Sequence, residues 1–207
     1  MLLQKLIQEK KLLNRVIMKT RIFFLGIIFI TACSKNGKNI NYHENGKIRS
    51  VEFYKDGRLD SVAKYFDSDG RLQAEIHYDN GELEGYMNTY RDGNLQSVSF
   101  FKDGKEDGEV RSYYENGQLQ SLDYRENGID QGKEVHYYKN GKLFLEGQNK
   151  NGAKTGLWKY YYENGQLKIE GTFTKGLKDG NWKYYTDSGG LEKEEMYKEG
   201  KLYKVIQ

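Results

Sequence analysis

The chain of 207 residues contains no proline, a single cysteine and only three histidines. Without proline, every residue can donate its backbone N–H to a strand ladder. One cysteine cannot form a disulfide within the chain, so the redox compartment does not constrain the fold. The sequence also has no His-x-x-x-His, no cysteine cluster and no Gly-x-Ser-x-Gly motif. These absences argue against an enzyme, and they predict no metal site and no cofactor.

Long apolar runs are absent as well. The longest, residues 22–30, is nine residues long, whereas a membrane-spanning helix needs about 20. Lys19 and Arg21 precede this run, and Thr31 and Ala32 follow it. A basic start, a short apolar stretch and small residues at the end are typical of an export signal. The sequence therefore predicts a hydrophobic signal helix within residues 1–32.

The position of the only cysteine suggests how the chain is anchored. Residues 30–33, Ile-Thr-Ala-Cys, resemble the bacterial lipobox, in which the cysteine becomes the first mature residue and is acylated. The resemblance implies a lipoprotein of the bacterial cell envelope, attached to the membrane through Cys33, with residues 33–41 as a lipidated tether. The alternative is that Cys33 is an incidental thiol. Residues 1–17 either form an amphipathic helix or precede the true start at Met18.

The overall charge is balanced once the signal region is set aside. The full chain has a net charge of +3, but residues 33–207 carry 27 basic and 29 acidic side chains, a net charge of −2. Nucleic-acid binding depends on concentrated lysine and arginine. The sequence has no such basic stripe, so we expect no nucleic-acid partner.

Glycine, by contrast, is abundant and regularly spaced. Two sets of glycines each recur every 24 residues, apart from one step of 23. The first set is Gly46, Gly70, Gly93, Gly117, Gly141, Gly165 and Gly189; the second is Gly57, Gly81, Gly104, Gly128, Gly152, Gly176 and Gly200. A period of this length predicts a repeat array. Such arrays build long surfaces, which bind more often than they catalyse.

The residues around these glycines predict hairpins. Pairs such as Asn116-Gly117 and Asp103-Gly104 favour two-residue turns with positive φ at both central positions. Pairs such as Gly152 and Gly156 predict a longer loop at the other edge. The segments between turns are rich in Tyr, Trp, Val, Ile and Thr, which favour strands. The predicted fold is all-β: an elongated single-layer antiparallel sheet of about seven stacked β-hairpin repeats, over residues 42–207.

Aromatic residues recur at fixed positions in the predicted strands. Because side chains alternate, Trp158 and Tyr160 share one face, while Lys159 and Tyr161 point the other way. These rings either form an apolar ladder that holds the sheet together or stay partly uncovered and bind a partner. The candidate partner-binding residues are Tyr114, Tyr138, Trp158, Tyr160, Tyr162, Trp182 and Tyr184. His136 occupies the position of Tyr160 one repeat earlier, and we interpret it as a substitution within the repeat, not as a ligand.

Residues 113–119 and 161–167 share the sequence Tyr-Tyr-Glu-Asn-Gly-Gln-Leu. With the Gly-x-x-x-Gly that follows, this segment resembles the variant form of the MORN repeat, and the resemblance spans residues 42–203. It implies β-hairpins stacked into an elongated sheet, a scaffolding or binding role and no catalysis. Many bacterial members are lipoproteins, and some are labelled as the antitoxin component of a toxin–antitoxin system. The sequence departs from the family pattern at Ser61, which replaces a loop glycine, and the first two copies lack the Tyr-Tyr pair.

The expected function is a non-catalytic, membrane-anchored repeat scaffold that binds another protein. A toxin is one partner that the resemblance implies. The alternative is a lipoprotein that binds the cell wall or a glycan through its aromatic face. Residues 156–162 also resemble choline-binding cell-wall repeats, which hold a quaternary ammonium group by cation–π contacts.

Overall fold

The computed structural model describes residues 35–206. The predicted signal helix, Cys33 and the last residue lie outside the described residues. Between residues 35 and 206 the chain forms strands and turns and contains no helix. None of the described residues therefore belongs to a helix suited to crossing a membrane.

Seventeen strands follow one another along this part of the chain. They are β1 (Gly37–Tyr42), β2 (Ile48–Lys55), β3 (Arg58–Leu59), β4 (Ser61–Phe66), β5 (Leu72–Asp79), β6 (Glu82–Arg91), β7 (Asn94–Lys102), β8 (Lys105–Tyr113), β9 (Leu119–Glu126), β10 (Ile129–Asp130), β11 (Gly132–Tyr137), β12 (Leu143–Lys150), β13 (Ala153–Tyr161), β14 (Leu167–Thr174), β15 (Leu177–Tyr185), β16 (Leu191–Lys198) and β17 (Lys201–Ile206).

The strands pair antiparallel in chain order and form one open sheet. Two long strands are interrupted: β3 and β4 both pair with β2, and β10 and β11 both pair with β9. The predicted antiparallel sheet of stacked hairpins is confirmed. Its start differs from the prediction, because β1 pairs with β2 from Gly37 onward. Residues 37–41 therefore belong to the sheet and not to the predicted tether.

The turns at the first glycine set, apart from the one at Gly93, have three residues and not two. In residues 114–118, Gly117 N–H donates to Tyr114 O at 2.9 Å, and Tyr114 N–H donates to Gln118 O at 2.9 Å. Gly117 has a φ of 81°, whereas Asn116 is not among the described residues with positive φ. This is a type I turn closed by a left-handed glycine. The prediction of positive φ at Asn116 is wrong, because a three-residue turn requires it only at the glycine.

Two-residue turns occur at the second glycine set, along the opposite edge of the sheet. Asn151 and Gly152 have φ values of 53° and 77°, the combination that such a turn requires. The prediction for Asp103-Gly104 is confirmed in the same way, with φ values of 49° and 73°. The longer loop predicted between Gly152 and Gly156 is wrong, because β13 starts directly after Gly152 and Gly156 lies within it.

The one glycine spacing of 23 residues, instead of 24, has a local cause. Asp92 and Gly93, with φ values of 51° and 82°, form a two-residue turn between β6 and β7 at the edge where the other copies use three residues. The copy has lost one turn residue, and its strands still pair with their neighbours on both sides. The meander therefore continues through the irregular copy.

Hydrogen bonds between successive turns tie the repeats together at both edges. Asn140 Nδ2 donates to Glu163 O in the next turn at 3.1 Å, while Asn140 Oδ1 accepts from Lys142 N–H at 2.9 Å. At the opposite edge, Gly152 N–H donates to Asp130 O at 2.9 Å. The turn asparagine thus serves to join neighbouring repeats.

The two faces of the sheet differ in chemistry. In β13, Trp158 pairs with Gly171 and Tyr160 pairs with Ile169, and these residues lie on one side of the sheet, the aromatic face. Lys159 pairs with Glu170 on the other side, the charged face. The predicted alternation of these side chains is confirmed. Across β12 to β16 the charged face carries side chains of alternating sign in register, namely Glu146, Lys159, Glu170, Lys183 and Glu194. Opposite charges on neighbouring strands stabilise a sheet by roughly 0.2–1 kcal/mol a pair.

Candidate functional site

Trp158 and Trp182 lie at the centre of the aromatic face, and their exposed fractions are 0% and 2%. Each indole lies directly over a strand glycine. A Cβ atom at Gly147 would be 2.2 Å from the Trp158 ring, and one at Gly171 would be 2.2 Å from the Trp182 ring. The two tryptophans therefore belong to the core of the sheet. Of the two alternatives for these rings, the structure supports the apolar ladder for Trp158 and Trp182.

Contact between the aromatic residues of neighbouring repeats runs through Phe173. Its ring centroid is 5.9 Å from that of Trp158 and 4.9 Å from that of Trp182, with edge-on geometry in both cases. Sequence analysis missed Phe173 because the aromatic period was traced along β13 and β15 alone. The strand between them, β14, supplies the bridging ring.

Lysine side chains cover the rings of the aromatic face. Lys154 Nζ lies 3.9 Å from the centroid of the Trp158 ring, and Lys178 Nζ lies 4.3 Å from that of Trp182. Burial lowers the pKa of Lys178. Cation–π attraction of this kind is worth about 0.5–2 kcal/mol. The chain thus places its own cations over the two indole rings.

Tyr160 and Tyr184 are half-buried and flank the tryptophans. The OH of Tyr160 is 3.4 Å from Lys154 Nζ. Burial, followed by hydrogen bonds to Glu195 and Tyr197, raises the pKa of Tyr184. Glu195 accepts hydrogen bonds from Lys193 Nζ and Tyr197 OH, each at 2.8 Å. The bond from Lys193, with those from Tyr184 and Tyr197, lowers the pKa of Glu195 to about 2.

The three remaining candidates connect one repeat to the next. Each tyrosine hydroxyl donates to a backbone carbonyl 23 residues later, with distances of 2.7 to 2.8 Å: Tyr114 to Tyr137, Tyr138 to Tyr161 and Tyr162 to Tyr185. All seven predicted partner-binding residues are therefore buried or half-buried and contribute to packing within the chain. That any of them binds a partner stays a prediction.

A polar cluster occupies the aromatic face one repeat earlier. His136 Nε2 lies 3.3 Å from Asp123 Oδ1 and 3.4 Å from Glu134 Oε1. The hydrogen bond to Asp123 is the main cause of a raised pKa of His136. Sequence analysis did not bring these residues together, because Asp123 lies on β9 and the other two on β11. The strand register places them side by side.

The end of the aromatic face is exposed at β17. Leu202, Tyr203 and Val205 have exposed fractions of 52%, 74% and 52%. Val205 pairs with Glu195 of β16, so it continues the row that contains Trp182. Among residues 35–206, β17 pairs on one side only. An apolar row therefore reaches an open sheet edge.

The sequence profile of a family described as "MORN repeat variant" matches six segments, each about 22 residues long, that together make up more than half of the chain. They are residues 35–56, 59–80, 106–127, 130–151, 154–175 and 178–199. Each matched segment contains two strands joined by a three-residue turn, and the unmatched stretch between residues 81 and 105 contains the copy with the shortened turn. A comparison with curated proteins gives no match. The chain therefore belongs to the MORN repeat variant family.

Proposed function

We propose that this protein is a non-catalytic scaffold, attached to a membrane of the bacterial cell envelope through lipidated Cys33, that binds another protein at the β17 edge of its sheet. The exposed apolar side chains of β17 carry the proposal. In the interior copies, such as β14, a further strand pairs alongside the row on each side. At β17 the row that contains Trp182 and Glu195 ends on Val205, and the neighbouring row that contains Tyr197 ends on Leu202.

An added strand is the partner geometry that fits this edge best. A strand at the edge of a sheet presents backbone N–H and C=O groups that can pair with another chain. Recognition by strand addition combines these backbone hydrogen bonds with side-chain contacts at alternate positions. Leu202 and Val205 would supply the apolar contacts, since both pair with residues of the aromatic face on β16.

The proposed anchor would keep the sheet close to the membrane surface. Only residues 34–36 separate Cys33 from the start of β1 at Gly37. Four peptide steps span at most about 14 Å. A partner would then be held within the envelope, and a toxin neutralised by the scaffold is one form of such a partner.

The glycan alternative is less well supported. Sugar and choline binders need aromatic ring faces that a ligand can reach. Here Trp158 and Trp182 are buried, and Lys154 and Lys178 lie over their rings. A glycan would have to displace these lysines.

Affinity purification of the full chain from native envelope extract tests the proposal. Replacing Leu202 and Val205 with lysine should reduce recovery of the bound protein at least about tenfold, since losing an apolar anchor costs 1–2 kcal/mol or more. Leu191→Lys is the matched control, because Leu191 is 55% exposed and lies on β16. Equal recovery with the β17 variant would contradict the proposed edge, and recovery in the wall fraction alone would favour the glycan alternative.

The anchor is tested in the same cells with Cys33→Ser. The protein should move from the membrane fraction to the soluble fraction, because Cys33 is the only cysteine available for acylation. A Cys33→Ser protein that stays in the membrane fraction would exclude lipidation as the anchor.

A further inference from the structure

The Asp123–Glu134–His136 cluster stands where the following repeats have an aromatic core. Counting 24 residues forward, Asp123 corresponds to Gly147, Glu134 to Trp158 and His136 to Tyr160. Side chains that can bind metals thus replace three groups of the aromatic core: the glycine that makes room for an indole, the indole itself and the neighbouring tyrosine. The replacement removes the ring packing and leaves polar atoms converging on one point.

The distances within the cluster are close to those between the ligand atoms of a bound metal ion. His136 Nε2 is 3.3 Å from Asp123 Oδ1 and 3.4 Å from Glu134 Oε1, and the three ligand atoms lie within 4.8 Å of one another. Both distances are longer than those of typical charge-assisted hydrogen bonds, which are about 2.7–2.9 Å. Tetrahedral zinc, with bonds of about 2.1 Å, separates its ligand atoms by about 3.4 Å.

The outer oxygen of each carboxylate has its own partner. Ser121 Oγ donates to Asp123 Oδ2 at 3.0 Å, and Asn149 Nδ2 donates to Glu134 Oε2 at 2.6 Å. Metal-binding carboxylates are commonly oriented by such outer hydrogen bonds. These contacts hold both carboxylates with one oxygen directed towards His136.

Charge and exposure also suit a divalent cation. Two carboxylates neutralise the charge of a divalent ion. The neutral imidazole adds a nitrogen ligand, which suits transition metals, whereas calcium and magnesium favour oxygen ligands. The side chains of His136, Asp123 and Glu134 are 32%, 26% and 18% exposed, so an ion can enter and keep a water molecule. The nearby Lys154 ammonium group is held over the Trp158 ring.

We propose that Asp123, Glu134 and His136 form a three-residue binding site for a divalent transition metal, with Zn²⁺ as the best-fitting ion. Such an ion would connect β9 to β11. These strands pair at only two positions, and β9 pairs with β10 at two more. The metal would strengthen the sheet where its aromatic core is missing.

Calorimetric titration of the full chain with Zn²⁺ tests the site. We expect one ion per chain, and loss of that binding in His136→Tyr. The variant removes the histidine ligand. It should still fold, because tyrosine occupies this position in the next two repeats. Asn149→Ala should weaken binding about 10–100-fold, whereas His77→Ala, which changes a histidine outside the cluster, should bind as the wild type does.

Thermal unfolding provides a second readout. Saturating Zn²⁺ should raise the Tm of the wild-type chain and leave that of His136→Tyr unchanged, because a ligand stabilises only the state that binds it. Two results would overturn the proposal. One is wild-type affinity weaker than about 1 mM, and the other is equal affinity in the wild type and His136→Tyr.

Discussion

Replacing Trp158 with alanine should lower the free energy of unfolding by about 3–5 kcal/mol. The indole is fully buried, covers Gly147 and contacts Phe173, so its removal leaves a large cavity in a sheet that has few other buried side chains. In a repeat array each unit contacts only its neighbours. The loss should therefore be local and appear first in β12 to β14.

Hydrogen exchange combined with urea unfolding measures this effect. Amide protection should fall sharply in β12 to β14 and stay close to the wild-type values in β4 to β6. Leu157→Ala is the matched control, because Leu157 is the preceding residue and is 53% exposed; its effect should stay within about 0.5 kcal/mol. A Trp158→Ala variant as stable as Leu157→Ala would show that the ring is not part of a core.

Replacing Gly147 with alanine should destabilise the same repeat by about 1–3 kcal/mol. The added methyl group would lie 2.2 Å from the Trp158 ring, far inside van der Waals contact. Gly147 has no positive φ to explain its identity. The ring alone excludes a side chain at this position.

The double variant Gly147→Ala with Trp158→Ala separates this clash from a backbone effect. Once the indole is gone, the methyl group has room, and the cost of Gly147→Ala should disappear. The two substitutions should then couple by about 1–3 kcal/mol in urea unfolding, within the range seen for residues in contact. Additive effects of the two changes would contradict the packing described here.

The turns show how far the sequence could be interpreted. The glycine period located the turns between the described strands, because each of them needs at least one left-handed position. Two-residue turns were predicted at both edges, and the prediction was wrong for the Asn-Gly turns of the first edge. An Asn-Gly pair suits both turn types, and the choice depends on how many residues separate the paired strands. That number follows from the register, as the extra hydrogen bond between Tyr114 N–H and Gln118 O shows.

The sequence predicted which residues form the aromatic face and how they alternate with the charged face, but it did not predict how exposed their rings are. Exposure depends on contacts between strands, such as Lys154 over Trp158, that a repeat period cannot reveal. One local signal was present in the sequence. Gly147 and Gly171 interrupt predicted strands, and a glycine within a strand often marks close approach of another group.

The polar cluster was missed for a related reason. His136 was compared only with the residues at its own position in other copies, such as Tyr160, and was interpreted as a single substitution. Aligning Asp123 with Gly147 and Glu134 with Trp158 at the same time would have shown three linked replacements. Only the pairing of β9 with β11 shows that the three side chains meet.

The burial of Trp158 and Trp182 makes the aromatic row the core of the sheet. Fluorescence quenching tests it directly, because Trp158 and Trp182 are the only two tryptophans in the chain. We expect blue-shifted emission relative to the urea-unfolded chain and little quenching by iodide. Emission at the wavelength of the unfolded chain, with quenching as strong as in that state, would show that the two indoles are exposed and do not form a core.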